Sequence, residues 1–218
     1  MSANIHHSSA SNEHFTPSDI IEAARLTLGA IDFDPASCET ANALVKAANF
    51  WTKEDNGFVR PWGRRVFLNP PGGWCDNIGQ LVVKASKDTP PCTETGTCGL
   101  PYPHVHAGTE SSQKKWWQEL VFRWETGEVR AAIFVCFSLE LLQSTQQDPQ
   151  GTLPLQFSIC YPKQRVRYLK PNGEVGKSPP HSSCVICVSK EYAIVNLFAL
   201  QFSGIGHVVR PGNMNLTT

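Results

Sequence analysis

The chain has 218 residues, enough for one domain with a full core. Its 19 basic and 19 acidic residues cancel, so composition gives no general attraction to nucleic acid. Hydrophobic residues make up 41%, as in soluble globular proteins, and no apolar run approaches the roughly 18 residues that would span a membrane.

The start, MSANIHHSSASNEHF, is polar and has no apolar h-region, which predicts no signal peptide. Residues 1 to 14 read as a flexible tail and residues 15–218 as a single domain. There are eight cysteines. Cys136, Cys160, Cys184 and Cys187 lie inside apolar runs and read as small buried hydrophobes in a reducing cytoplasm.

Thr16-Pro17 ahead of SDIIEAARLTLGA predicts a helix, with Thr16 as N-cap, Pro17 at the first helical position and Asp19 in a variant capping box. Ile20, Ile21, Ala24 and Leu28 form its apolar face, and Gly29 suits its end. AIDFDPAS alternates and stops at Pro35, which predicts a short strand. ETANALVKAANF reads as a second helix, TKEDNG as a turn and RRVFLNPP as a second strand. NIGQLVVKAS fits a helix or a strand equally.

The stretch from Lys87 to about Ser112 is rich in Pro, Thr, Gly, Cys and His and reads as a long insertion loop. QKKWWQELVFRWETG then reads as a helix whose tryptophans, Trp116, Trp117 and Trp124, suit the core. RAAIFVCFS is a continuous apolar strand of the kind buried on both faces. SLELLQSTQQ looks helical. LQFSICYP, RVRYLK and SCVICVS read as strands, with a turn at PNGE. AIVNLFALQFSGIG is helical, and HVVRP closes the chain. Strands alternating with helices early and clustering late predict an α/β layered fold with a mainly parallel sheet and an antiparallel edge.

Open α/β sheets bind ligands at the carboxyl ends of their strands. Two strands here end in polar-proline signatures, Asp34-Pro35-Ala36-Ser37 and Asn69-Pro70-Pro71. If these strands are parallel neighbours, both signatures share one crevice. The Asn69 amide oxygen and the Pro70 carbonyl are acceptors, and neither proline has an N–H to compete for them. Two acceptors on a stiff backbone suit an amino group with two hydrogens, such as the exocyclic amine of a nucleobase. Drawing that amine towards tetrahedral geometry frees its lone pair to attack an electrophilic methyl.

The stretch 16-TPSDIIEAARLTLGAIDFDPASCETANALVKAANFWTKEDNGFVRPWGRRVFLNPPGG-73 resembles the phage N-6-adenine DNA methyltransferase (Dam-like) family. The likeness rests on an ordered set: Thr-Pro before a helix, Asp-Pro-Ala-Ser after a strand, an aromatic-Thr-x-Glu-Asp-x-Gly turn, then Trp and Asn-Pro-Pro. The resemblance implies a Rossmann-like methyltransferase sheet with helices on both faces and S-adenosylmethionine as cofactor. It implies transfer of a methyl group to the adenine amino group in DNA. By the same resemblance Asn69, Pro70 and Pro71 hold the target amine. Asp34, Pro35 and Ser37 line the cofactor crevice, and Thr16-Pro17 sits against the cofactor's methionine end.

Two departures stand out. The motif's fourth position is usually an aromatic that stacks on the flipped base, and here it is Gly72, which makes Trp74 the candidate replacement. The glycine-rich cofactor loop is replaced by Asp-Pro-Ala-Ser-Cys. Other acceptors, the cytosine amino group or an RNA base, fit the same chemistry, and a non-catalytic nucleic-acid binder is the rival from another class. Between Tyr161 and Lys190, six cations face Glu174 alone. Arg165 and Arg167 alternate along one side and suit phosphates, with solvated sheet-edge charge as the equal alternative. Cys92, Cys98, His104 and His106 have the donor types of a tetrahedral zinc site, at spacings foreign to the standard fingers.

Overall fold

A computed structural model describes residues 14–75, 81–84, 107–108, 110–147, 153–170, 172–176 and 181–212. Residues 1–13 of the expected tail, most of the insertion and the four candidate zinc donors lie outside them.

The elements run α1 (Ser18–Leu28), β1 (Phe33–Asp34), α2 (Glu39–Val45), β2 (Asn49–Phe50), β3 (Arg65–Leu68), β4 (Trp74–Cys75), β5 (Leu81–Lys84), β6 (Ala107–Gly108) and β7 (Glu110–Ser111). They continue with α3 (Ser112–Glu125), β8 (Ala131–Cys136), α4 (Glu140–Ser144), β9 (Ser158–Pro162), β10 (Cys184–Ser189), α5 (Tyr192–Phe202) and β11 (Gly206–Val209). Seven strands make one mixed sheet in the order β2-β1-β3-β8-β10-β9-β11. The first four run parallel. From β8 outwards, β10, β9 and β11 are each antiparallel to the strand before. A second sheet of four short strands has the order β6-β5-β4-β7.

Period-two alternation divides the core. Phe67, Ile133, Val135, Val185 and Cys187 face α1 and α5, which bring Ile20, Ile21, Ala24, Phe198 and Phe202. Val66, Leu68, Phe134, Cys136 and Ile186 face α3, which brings Trp116, Trp117, Leu120 and Val121. Every residue of β8 and β10 is buried, as an apolar run covered on both faces requires. The cysteines of these runs are free thiols. Burial pushes the Cys160 thiol up to about 12.

Several expectations are corrected. Thr16 does not cap α1: the helix starts at Ser18 with Pro17 extended at the cap position, and the Thr16 hydroxyl is buried without a partner. The second helix stops at Val45. Lys46 turns left-handed (φ 53°), and the Asn42 side chain takes both polar groups of Ala47, so Asn49–Phe50 is released as the edge strand β2. LVVK is a strand, which settles the open choice at NIGQLVVKAS. The insertion ends sooner than residue 112, in strands β6 and β7 and the start of α3. RVRYLK is not a strand: its ladder pairing is limited to isolated bridges of Leu169 to Phe15 and Val175, while Val166 and Tyr168 pack into the core. The PNGE turn does form, with Gly173 at φ 81° donating to Lys170.

The route of the chain determines where a crevice opens. From β1 it passes through α2 to β2 on one side, then returns to β3 on the other side of β1. The strand order therefore reverses between β1 and β3, and diverging connections leave a gap above their carboxyl ends. β9 points the same way as β8, so its exit, residues 163–176, reaches the same rim.

Candidate functional site at the carboxyl ends of β1, β3 and β8

Asp34 ends β1 and is only 3% exposed. Its Oδ1 accepts from the Ala36 N–H at 3.2 Å. Burial outweighs that bond and pushes the carboxyl up to about 7. The Ser37 hydroxyl lies near enough to lower the acid somewhat, without hydrogen-bond alignment, and its buried oxygen has no partner.

The turn at residues 51–57 locks this Asp-Pro-Ala-Ser turn from outside. Trp51 N–H donates to the Asp34 carbonyl and its own carbonyl accepts from Ser37, both at 3.0 Å. Asp55 holds the turn's shape by accepting from the N–H and hydroxyl of Thr52. A β-carbon on Gly57 would stand 1.9 Å from the Pro35 carbonyl oxygen, so only glycine permits this approach. Trp62 Nε1 donates to the Gly57 carbonyl at 2.7 Å and its ring stacks on Trp116. The Asp-Pro-Ala-Ser turn, the turn at 51–57 and Trp62 thus meet in space, the latter two as braces for the Asp34 turn.

One strand over, β3 ends at Leu68 and delivers Asn69, Pro70 and Pro71. Asn69 Nδ2 donates to the His14 carbonyl at 2.9 Å. That bond fixes which way the amide points: its nitrogen is held by the N-terminal segment, leaving Oδ1 as the outward acceptor. Among the described residues no hydrogen bond reaches Asn69 Oδ1 or the Pro70 carbonyl. The N-terminal segment is itself tied down, since Phe15 and Leu169 exchange two backbone hydrogen bonds of 2.8 Å. Nothing in the sequence pattern signals this tether, because its partners are far apart in the chain.

β8 ends at Cys136, and the turn after it depends on a residue that sequence reasoning missed. Gln113 is 2% exposed. Its Oε1 accepts from Phe137 N–H at 2.8 Å and Ser138 N–H at 3.3 Å, while Nε2 donates to the Ser138 carbonyl at 3.0 Å. Gln113→Ala strands two backbone donors in the interior. Chemical denaturation is expected to show a loss of about 2–4 kcal/mol. A loss below about 1 kcal/mol would mean that the turn holds its shape without the glutamine.

Arg165 and Arg167 are exposed while Val166 and Tyr168 between and after them are buried, although the stretch is not a strand. The wider run of six cations is not one patch. Lys170 pairs with Glu174 at 3.0 Å, and Lys190 lies over the Trp124 ring at the opposite rim, because β10 runs the other way. Lys177 is outside the described residues. Trp74 belongs to β4, where it pairs with Val82 and Ser111.

A cleft of about 440 Å³ opens at that opposite rim, lined by Asp32, Arg64, Arg65, Arg130 and Glu191. Asp32 holds Arg65 and Glu191 holds Arg130, so four of these five charges are already paired. Among the described residues, the Thr16 and Ser37 hydroxyl oxygens are buried without partners, as are polar atoms of Ser112, Trp116 and Ser158. No protein-family model, curated protein or solved structure matches this chain.

Buried oxygen atoms at this end of the sheet remain available to a polar ligand. The Thr16 and Ser37 hydroxyl oxygens are buried and lack partners, and the Asp34 carboxyl is buried at the exit of β1, three residues before Ser37. These groups can receive hydroxyl and ammonium hydrogens of a polar, cationic ligand. Among the described residues no three His, Cys, Asp or Glu side chains gather as a metal site. No helix among them is long and apolar enough to cross a membrane.

Proposed function

We propose that the protein is an S-adenosylmethionine-dependent methyltransferase acting on the exocyclic amino group of adenine in DNA, on a Rossmann-like methyltransferase sheet. The observation that carries this reading is the orientation of Asn69. Its nitrogen is held by the His14 carbonyl, so its oxygen and the Pro70 carbonyl are left as paired acceptors above the strand-order reversal. Two such acceptors take both hydrogens of an amine and localise its lone pair. The bound cofactor supplies an electrophilic methyl group. The amine held by Asn69 and Pro70 would accept that methyl group, and its surplus proton would pass to water. Because the amine lies inside the base stack, the nucleotide is turned out of the duplex into the crevice. Asp34, Pro35 and Ser37 would hold the cofactor beside β1, with Thr16-Pro17 at its methionine end.

Incubation with labelled S-adenosylmethionine and DNA, followed by nucleoside mass spectrometry, tests this. N6-methyladenine is the expected product. N4-methylcytosine would change the acceptor and keep the chemistry. DNA binding with neither cofactor binding nor transfer would make the protein a binding module.

Arg165 and Arg167 sit on the rim where duplex phosphates approach this crevice. Replacing both with Gln is expected to flatten the plot of log affinity against log salt by roughly 2, since each phosphate contact contributes about 0.9. Cofactor affinity should not change. A parental slope in the double variant would assign this charge to solvent.

A further inference from the structure

Gly72 leaves the amine-holding loop without the ring that would face an extruded base, yet a ring stands at that spot. A β-carbon on Gly72 would lie 3.6 Å from Phe137 Cζ and 3.9 Å from Phe137 Cε2. Phe137 follows the last residue of β8, which is the parallel neighbour of β3. It is half-buried and packs on the α1–α5 side of the sheet, the side of Phe67 and of the N-terminal segment that holds Asn69. Its backbone is pinned by the buried Gln113, so the ring is presented from a fixed base. Gly72 has no positive φ, unlike Gly73 beside it, so backbone strain does not require a glycine there. A β-carbon there would make ordinary van der Waals contact with the Phe137 ring, so the two positions adjoin.

We infer that Phe137 is the aromatic platform on which the extruded base stacks, supplied by β8 in place of the side chain missing at position 72. The inference rests on the methyltransferase reading. A base whose amine reaches Asn69 Oδ1 and the Pro70 carbonyl has its ring over Gly72, and the Phe137 ring borders that space. An aromatic delivered from a separate strand can be exchanged with one on the loop. Position 72 and position 137 should therefore substitute for each other.

The test uses the purified full chain. Cofactor binding by calorimetry and methyl transfer to unmethylated plasmid DNA are measured first on the parent. Their absence overturns the methyltransferase reading, and this inference falls with it. Given an active parent, Phe137→Ala is expected to lower kcat/KM for DNA about 5- to 150-fold, the range of one lost base–aromatic stack. Affinity for S-adenosylmethionine should stay unchanged. Phe137→Leu keeps an apolar side chain for packing but no π face, and is expected to lose activity likewise. Gly72→Tyr in the Phe137→Ala background should recover most of the loss, whereas Gly72→Tyr alone crowds the existing ring and gains nothing. Full activity in Phe137→Leu would overturn the inference while leaving the methyltransferase reading intact. So would a loss confined to Trp74→Ala.

Discussion

Asn69→Ala is expected to lower methyl transfer by about 100- to 1,000-fold while the protein stays folded. The side chain ends β3 on a rim, and the two prolines after it keep the backbone path without its help. The substitution removes one of two acceptors and also cuts the link to the His14 carbonyl. Asn69→Asp separates these effects. It keeps an acceptor oxygen but cannot donate to His14, so the amide orientation is lost and activity should fall as well. Thermal melting and cofactor calorimetry should match the parent in both variants. Parental turnover in the alanine variant would remove Asn69 from the chemistry and take the proposed function with it.

The second large effect concerns Asp34, whose burial makes it a cost to the fold. Its carboxyl is raised from the usual 3.8 to about 7. Between those values the folded chain keeps a proton that the unfolded chain releases. Stability from this group is therefore highest below about pH 4, declines as pH rises, and reaches its full penalty above about pH 7. The penalty amounts to about 4 kcal/mol. Asp34→Asn is expected to be more stable than the parent at pH 8, and denaturant midpoints should show a flatter decline from pH 5 to 8. The same variant should bind S-adenosylmethionine more weakly. The ionised acid accepts hydrogen bonds from donors that an amide meets only in part. In the parent, cofactor affinity should rise as pH passes 7. A variant with unchanged cofactor affinity and an unchanged pH profile would make Asp34 a turn residue only. On the proposed reading, fold stability and binding are opposed at this position, as is common where a polar group is kept buried for a ligand.

The long regular elements were legible from pattern: α1 and α5 from helical spacing, β8 and β10 from unbroken apolar runs, and β3 from its proline stop. The rule for open sheets singled out the two strand ends at Asp34 and Asn69, but that β1 and β3 are parallel neighbours was only a condition of that reading until the structure showed it. What was not legible depends on contacts between distant residues. Helical composition continues through ETANALVKAANF, but the Asn42 side chain bonds Ala47 across the helix end and Phe50 is drawn into the sheet. A threonine before a proline is a good cap in isolation, yet the extended Pro17 starts α1 later and leaves that hydroxyl unspent. Gln113 looks like one more polar residue at a helix start. Its importance appears only when the turn after β8 folds onto it. Phe137 reads as the end of a strand, and its closeness to Gly72 is a property of two strands side by side.

The tie between Phe15 and Leu169 has a consequence for synthesis. Chains emerge from the ribosome N-terminus first, and domains close as their parts become available. Asn69 can leave the exit tunnel, and β1 and β3 can be present, long before the segment at 163–170 exists to fasten the strand-like stretch at 14–16. Until then the carbonyl that aims the Asn69 amide is on an untethered thread, and joining residues so far apart carries the entropic cost of a long loop. On the proposed reading, the nascent chain would be inert towards bases in nearby nucleic acid until the segment at 163–170 has been made.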